Sequence, residues 1–369
     1  MFVKQIQLWN FKNYEEATFS FNNSIVIISG KNGSGKTNLL DALHFLSLTR
    51  SAIQKFDADC IRFAQSGFVL AFQIEYAADK VERVNIGLNL GEKKIIRTNN
   101  GAAERITAYL GRYPAILISP DDIFLIQEGN EERRNYADMH LSQYDNDYLR
   151  TLSKYKQLLN QRNELLKYFA EHQRFDAILL ESYTDMMLPL AHEIFRKRKA
   201  YFDALQLLLQ ETYAFIASSS KDDITTEQPA ITYQSHLFAE DFDKAFKENT
   251  AKDRAAQRTT MGVHKDEIIF SLAGKPLKYF GSQGQQKTFL LALKLANYEL
   301  LKQKSGKRPL LLLDDIFDKL DDERILKLIQ LIQQDNFGQI FITDARPERT
   351  ARFIVEQGLD AQHITLTKN

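Results

Sequence analysis

Two stretches far apart in the chain carry residues whose types and spacing suit phosphate chemistry. The first is Gly30-Lys31-Asn32-Gly33-Ser34-Gly35-Lys36-Thr37, followed by Asn38. It spells G-x-x-x-x-G-K-T between an apolar strand, Ile25–Ser29, and a helix predicted from Thr37 to about Leu48. Glycines let such a backbone curl until successive N–H groups point inward at phosphate oxygens. The helix start adds the positive end of its dipole. Lys36 is then placed to reach the β- and γ-phosphates, and the Thr37 hydroxyl to complete a Mg²⁺ shell. The second stretch, Leu310-Leu311-Leu312-Leu313-Asp314-Asp315, ends an apolar strand in two carboxylates. That is where open parallel sheets bind ligands. Asp314 suits Mg²⁺, directly or through water, opposite Thr37. Asp315 suits orienting or deprotonating an attacking water. Residues Gly30 to Asn38 are therefore candidate ATP-binding positions, with Lys36 and Asp315 as the catalytic groups.

A third segment, Gly281-Ser282-Gln283-Gly284-Gln285-Gln286-Lys287, opens a long apolar helix over Thr288–Leu301. Small residues and a serine hydroxyl at a helix N-terminus make a second anion-binding end. The segment resembles the L-S-G-G-Q signature of ABC-type ATPases, with Gly281 and Gln283 departing from it. The run Asp314-Asp315-Ile316-Phe317-Asp318-Lys319-Leu320-Asp321 keeps that class's spacing from the acidic pair to a Leu-Asp loop. The strand Ile340-Phe341-Ile342-Thr343-Asp344 ends where the class carries a γ-phosphate sensor, usually histidine; here the candidates are Thr343 and Asp344. In that class the signature touches the γ-phosphate held by a second copy. The resemblance thus implies an ATP-dependent homodimer, with Ser282, Gly284 and Gln285 as nucleotide contacts made across it.

The elements needed to position these groups can be read from periodicity. β-rich runs occur at Phe2–Leu8, Thr18–Phe21, Ile25–Ser29, Phe68–Tyr76, Val81–Leu90 and Lys94–Arg97. From about Asp121 to Phe215 the pattern becomes helical. One stripe runs from Tyr148 to Phe169, and a second from Ile178 to Phe215 is expected to break at Pro189. Two antiparallel helices would bury both stripes. A polar linker is expected over Ser218–Pro229. Further strands are predicted at Ile268–Leu272, Pro309–Leu313, Gln339–Thr343 and His363–Leu366. The four unbroken leucines suit a central parallel strand buried on both faces. The expected fold is α/β, a P-loop ABC-type ATPase head formed from both chain ends (residues 1–120 and 255–369) with an inserted, mainly helical lobe (121–254).

Composition narrows the class. Among 369 residues, 48 Lys plus Arg balance 48 Asp plus Glu, so a nucleic-acid surface has to be local rather than global. No stretch reaches the roughly 18 apolar residues of a membrane span. No secretory signal opens the chain, and the single cysteine, Cys60, set among apolar neighbours, reads as a buried thiol in a reducing cytoplasm. No His/Cys spacing suggests a metal cluster.

Taken together these motifs resemble the RecF family, ATPases of recombinational repair related to the heads of Rad50 and SMC proteins. The likeness also includes Leu8-Trp9-Asn10-Phe11-Lys12-Asn13-Tyr14, Leu48-Thr49-Arg50-Ser51 and Ser119-Pro120-Asp121-Asp122. It extends to Glu131-Glu132-Arg133-Arg134-Asn135-Tyr136-Ala137-Asp138 and Gly262-Val263-His264-Lys265-Asp266-Glu267. The resemblance implies DNA binding coupled to ATP-driven dimerisation, weak DNA-stimulated hydrolysis, and help in loading recombinase at gapped DNA with RecO and RecR partners. Candidate DNA-phosphate contacts are Arg133, Arg134, Arg196, Lys197, Arg198, Lys199, His264 and Lys265, although His264 also suits a satisfied histidine. The alternatives are the ATPase subunit of a membrane transporter, a structural clamp of the SMC or Rad50 kind, and an ATP-switched scaffold with negligible turnover. About 130 residues separate the β-rich third from Gly262, which suits a compact lobe rather than a coiled-coil arm.

Overall fold

The computed structural model describes residues 1–77, 80–99, 101–217, 227–317, 320–334, 336–344 and 357–367. Asp318 and Lys319 of the acidic run, and residues 218–226 of the expected linker, lie outside the described residues. Three sheets organise the chain. The first is antiparallel, built from β1 (Phe2–Phe11), β2 (Tyr14–Ser20), β4 (Gly67–Ala77), β5 (Lys80–Asn89) and β6 (Ile95–Thr98) in the order β2-β1-β4-β5-β6. A bulge between Val3 and Gln5 resets the alternation of β1, so Val3 and Ile6, three apart, are both buried.

The second sheet is parallel throughout, in the order β13-β3-β12-β11-β7. Its strands are β3 (Ile25–Gly30), β7 (Ala115–Ile118), β11 (Leu310–Leu313), β12 (Ile340–Asp344) and β13 (Gln362–Leu366). Strands buried on both faces read as unbroken apolar runs because alternate residues serve opposite cores. Val26, Ile28, Leu310, Leu312 and Phe341 join α1 (Lys36–Leu48) and the antiparallel sheet. Ile25, Ile27, Leu311, Leu313, Ile340 and Ile342 face the other way, into a core shared with the long helices. Strand β7 was not among the expected strands. Its four apolar residues carry the signal, bounded by Pro114 and Ser119-Pro120.

Short helices α2 (Ile106–Tyr109) and α3 (Phe124–Gln127) precede α4 (Asn130–Leu141), α5 (Asn146–Glu171) and α6 (Ala177–Ala217). Helix α6 runs through Pro189 without the expected break. A proline inside a helix costs about 3 kcal/mol, which packing offsets here. The helix lies along α5 on one side and along α10 (Gln283–Ser305) on another, burying Met187, Leu188, Ala191 and Ile194 around the proline. The third sheet follows, β10 (Lys275–Pro276), β9 (Glu267–Leu272) and β8 (Pro229–Gln234), so the stretch taken for a linker gives way to a strand at Pro229. Helices α7 (Phe242–Glu248), α8 (Thr250–Ala256), α9 (Leu277–Phe280) and α11 (Asp322–Gln333) complete the chain.

A buried polar knot ties these layers together. Arg198 of α6, 2% exposed, donates through Nη2 to Asp138 Oδ1 of α4 (2.8 Å). Through Nη1 it donates to Asp266 Oδ2 and to the Val263 carbonyl, both at 2.7 Å. Tyr148 of α5 donates to the same Asp138 oxygen, and Tyr233 of β8 donates to Asp266 Oδ2 (2.5 Å). Cys60 is fully buried, and burial pushes its thiol up to about 11, so it is inert as a nucleophile at neutral pH.

Candidate nucleotide site

The phosphate loop and the acidic strand end stand at the C-terminal ends of neighbouring parallel strands. The loop after β3 begins at Gly30 and turns through Gly33 (φ +80°) and Gly35 (φ +103°), both left-handed. At Gly35 a side chain has no room as well: a Cβ there would stand 2.7 Å from both Asn13 Nδ2 and Tyr14 Oη. Those two residues buttress the loop, Tyr14 Oη donating to the Gly35 carbonyl (3.0 Å) and Asn38 Nδ2 to Asn13 Oδ1 (2.6 Å). Asn13 and Tyr14 carried no role in the site as read from sequence. Asn38 is thus turned toward the β1–β2 hairpin.

Lys36 is 5% exposed and curls back over its loop, donating to the Gly30 carbonyl at 2.9 Å and reaching the Lys31 carbonyl at 3.5 Å. Ser34 Oγ is buried in the same loop without a hydrogen-bond partner. A buried orphan hydroxyl beside a lysine that satisfies itself on carbonyls is what a phosphate cradle leaves when its anion is taken away. Lys31, Asn32 and Gly33 are exposed on its rim.

The acidic strand end lies against the loop. Thr37 Oγ1 donates to Asp314 Oδ1 at 3.0 Å, and Thr343 Oγ1 donates to the same oxygen at 2.6 Å. Thr343 in turn accepts from the Asp315 backbone N–H (3.0 Å). Burial raises the Asp314 carboxyl above its ordinary range, opposed by the donors Thr343 and Thr37, while neighbouring Asp315 raises it further. Asp315 takes the left-handed region at φ 45°, a conformation aspartate tolerates better than most residues. The structure therefore brings together Thr37, Asp314, Asp315 and Thr343. Asp344, paired in register with Ser29, is buried at the end of the next strand.

Thr37 and Asp314 fit a Mg²⁺ ion. Adjacent corners of an octahedron with metal–oxygen bonds of about 2.1 Å lie about 3 Å apart, the spacing of these two hard oxygens. A cation there would also relieve the charge that burial disfavours on Asp314. Among the described residues no group of three His, Cys, Asp or Glu forms a protein-only metal cage.

Ser282 caps α10. Its hydroxyl accepts from Gln285 N–H (3.2 Å) while Gln285 Oε1 accepts from Ser282 N–H (2.8 Å), a reciprocal capping box. The helix starts at Gln283, five residues earlier than Thr288. Ser282 is exposed, and among the described residues no hydrogen bond joins residues 281–286 to the phosphate loop. Gly284 sits near Arg324 of α11, and Gln285 Nε2 donates to Glu227 (2.6 Å).

The basic candidates divide sharply. Arg198 is in the core and faces no solvent, so it is removed from any DNA surface. Arg133 spends its guanidinium on the Leu125, Ile126 and Ile268 carbonyls (2.7, 2.9 and 2.7 Å). His264 is also corrected. Tyr155 Oη meets its Nδ1 at 2.9 Å, the Thr259 carbonyl meets its Nε2 at 3.0 Å, and burial lowers it to about 4. It is neutral at pH 7, a satisfied histidine. Arg196 pairs with Glu193, Lys197 with Asp145, and Lys199 with Asp203. Arg134 donates to the Asp266 carbonyl (2.6 Å), beside Lys265. Lys265 has no ion-pair partner among the described residues, and burial followed by the positive charges of Arg258 and Arg134 lowers it. Arg258 was not singled out from sequence, because an isolated arginine in a polar stretch gives no signal there.

An all-parallel sheet with a phosphate loop and an acidic strand end at the C-terminal ends of its inner strands, and a serine-capped helix elsewhere, defines the head fold of ABC-type ATPases. The family description RecF/RecN/SMC N terminal domain matches residues 2–359. DNA replication and repair protein RecF of Flavobacterium johnsoniae UW101 is 40% identical over 96% of this chain and 97% of its own length. The chain belongs to the RecF family. RecF of Cytophaga hutchinsonii is 41% identical, covering 96% of this chain and 92% of that protein. The solved structure of the recombination mediator protein RecF with ATP, of the RecFOR pathway, superposes with a TM-score of 0.83 at 28% identity, covering 93% of this chain and 91% of that one. An Smc head domain with an extended coiled coil, from Pyrococcus furiosus, shares the fold with a TM-score of 0.55 at 18% identity, covering 100% of this chain and 94% of that one. Among the described residues no helix is long and apolar enough to cross a membrane.

Proposed function

We propose that this chain is an ATP-dependent DNA-binding protein of recombinational repair and replication-fork maintenance, working as a switch in the cytoplasm. ATP is held by Gly30–Thr37 of one copy and closed over by Ser282, Gly284 and Gln285 of a second. The observation that carries this reading is the position of Ser282. It caps a 23-residue helix, is exposed, and makes no hydrogen bond to its own phosphate loop among the described residues. A second copy is the partner that would bring a serine cap to the far end of the triphosphate.

In this reading Lys36 leaves the Gly30 carbonyl for the β- and γ-phosphates, and Ser34 Oγ gains the acceptor it lacks. Thr37 and Asp314 would hold Mg²⁺, which supplies charge neutralisation on the phosphates. Asp315 orients the attacking water, and Thr343, bonded to both aspartates' groups, reports on the γ-phosphate position. Hydrolysis is slow, is stimulated by DNA and separates the two copies. Arg134 and Lys265, with Arg258, are the DNA-phosphate contacts favoured by their uncompensated charge. The likeness to a recombination mediator of the RecFOR pathway supports partners of the RecO and RecR kind and a role in loading recombinase at single-strand gaps.

The test is a titration with single-stranded, duplex and gapped DNA, with and without ATP, alongside light scattering. Wild type is expected to dimerise with ATP and then bind DNA; Lys36→Met is expected to stay monomeric. Equal dimer formation by that variant would refute the composite site.

A further inference from the structure

Among the described residues strand β7 is an edge of the parallel sheet, paired only with β11. Its outer side is closed by side chains rather than by another strand. Gln143 Oε1 accepts from the Ala115 N–H (3.0 Å), and Lys294 of α10 donates to the Leu117 carbonyl (2.9 Å). Covering an edge in this way prevents strand addition, but it also leaves a cleft of about 490 Å³ alongside. His44, Arg50, His140 and Lys294 all line it.

Of these four groups, His140 and Arg50 lack a protein acceptor among the described residues. Lys294, 5% exposed, pairs with Asp122 (2.5 Å). His140 is 2% exposed, and its Nδ1 faces the Gln143 amide nitrogen at 3.4 Å. An amide nitrogen can only donate, so the imidazole proton sits on Nε2, and that buried donor has no partner. His44 Nδ1 donates to the Arg50 carbonyl (3.0 Å). The Arg50 guanidinium makes no hydrogen bond or ion pair among the described residues, although Asp57, Asp138 and Glu132 act on it from a distance. Burial lowers both imidazoles; at His140 the charges of Lys294, His44 and Arg50 add to it and hold the ring well below its ordinary range, while at His44 the nearby Asp41 opposes the drop.

We propose that this cleft is a second oxyanion site, taking a single phosphate-type group between the Arg50 guanidinium and the orphan His140 Nε2–H. Both groups only donate, so the ligand must accept, and a buried donor is destabilising until it is satisfied. The site is separate from the nucleotide. Helix α1 has 13 residues, so about 20 Å lies between its phosphate end and Arg50. Four carboxylates also line the cleft. Asp57 and Asp122 are already paired with Lys94 and Lys294, while Asp121 and Glu132 are exposed. The two exposed carboxylates oppose an anion and weigh most against an extended polyanion, which limits the ligand to a compact group: free phosphate or one phosphate of a nucleic-acid backbone.

The full chain, with its phosphate loop saturated by magnesium and a non-hydrolysable ATP analogue, is titrated with inorganic phosphate while the His140 ring signals are followed by NMR. A short duplex replaces phosphate in a second arm. Phosphate is expected to shift the His140 Nε2 signal, and Arg50→Gln, at an exposed position, to need roughly tenfold more ligand or beyond. A shift with duplex alone, lost in Arg50→Gln, assigns the anion to a nucleic-acid backbone. No shift in either arm, or a variant that titrates like wild type, overturns the proposal.

Discussion

Thr343→Val isolates the hydroxyl on which the acidic strand end depends. The side chain is fully buried, and valine keeps its shape. Two hydrogen bonds disappear together: the 2.6 Å donation to Asp314 and the 3.0 Å acceptance from the Asp315 N–H. Losing a donor to a carboxylate costs about 1.5–3 kcal/mol, and stranding a buried N–H costs about 1–3 kcal/mol. The bonds share one oxygen and so are not independent; a total of about 2–4 kcal/mol is expected. The change also acts on titration. Burial already raises Asp314, and Thr343 is the first of the donors opposing that rise. Removing it raises the carboxyl further. A folded-state value above the unfolded one means the folded chain holds the proton more tightly, so stability falls as pH climbs from the ordinary aspartate range to the raised value. In the variant that loss extends to higher pH. If Asp314 holds the cation in its ionised form as proposed, the acid limb of the rate profile moves up in pH as well. Urea unfolding measures the first effect and phosphate release against pH the second. An unchanged midpoint together with an unmoved acid limb would refute the role given to this hydroxyl.

Other substitutions probe other layers. Ser282→Arg is expected to leave ATP binding intact while abolishing dimerisation and hydrolysis, read by nucleotide binding, light scattering and phosphate release; wild-type hydrolysis would mean a self-contained site. Arg198→Met leaves Asp266 buried without its cation and Asp138 with only the longer Lys156 contact, and a loss of about 3–5 kcal/mol is expected in denaturant unfolding; a loss under 1 kcal/mol would deny the knot its role. Lys265→Ala should lower the slope of log affinity for DNA against log salt by about 1, while Arg196→Ala, whose charge is spent on Glu193, should leave it unchanged. Equal slopes for the two variants would remove Lys265 from the DNA surface.

How much of this could be read from sequence depends on the range of the interaction involved. The phosphate loop and the acidic strand end were legible because local rules govern them: glycines where the backbone turns left-handed, and four leucines where a strand is buried on both faces. Strand β7 is of the same kind, but at four residues its periodicity is too short to stand out. Pro189 was misread because a local breaker was weighed without the packing of α6 against α5 and α10. The basic run failed for a geometric reason. Successive helical residues point about 100° apart, so Arg196–Lys199 cannot share one face. Arg196 and Lys199 reach solvent, while Arg198 turns inward to carboxylates 60 and 68 positions away. No local pattern encodes such partners. Asn13 and Tyr14 behind the phosphate loop belong to the same category, visible only once the β1–β2 hairpin is laid against α1.

The parallel sheet has a consequence for how the chain is made. Strand β3 emerges early, yet its neighbours β12 and β13 come from the far end, and Ser29 meets Thr365 across 336 positions. At ribosomal speeds of about 5–20 residues per second, that wait is roughly 15–70 s. Throughout it the strand Ile25–Ile28 has no lateral partner in its own sheet and stays adhesive. The antiparallel sheet, whose strands all lie between Phe2 and Thr98, waits far less. Nascent chains halted before residue 340 should therefore engage chaperones through the Ile25–Ile28 segment, and release should coincide with synthesis of the final strands.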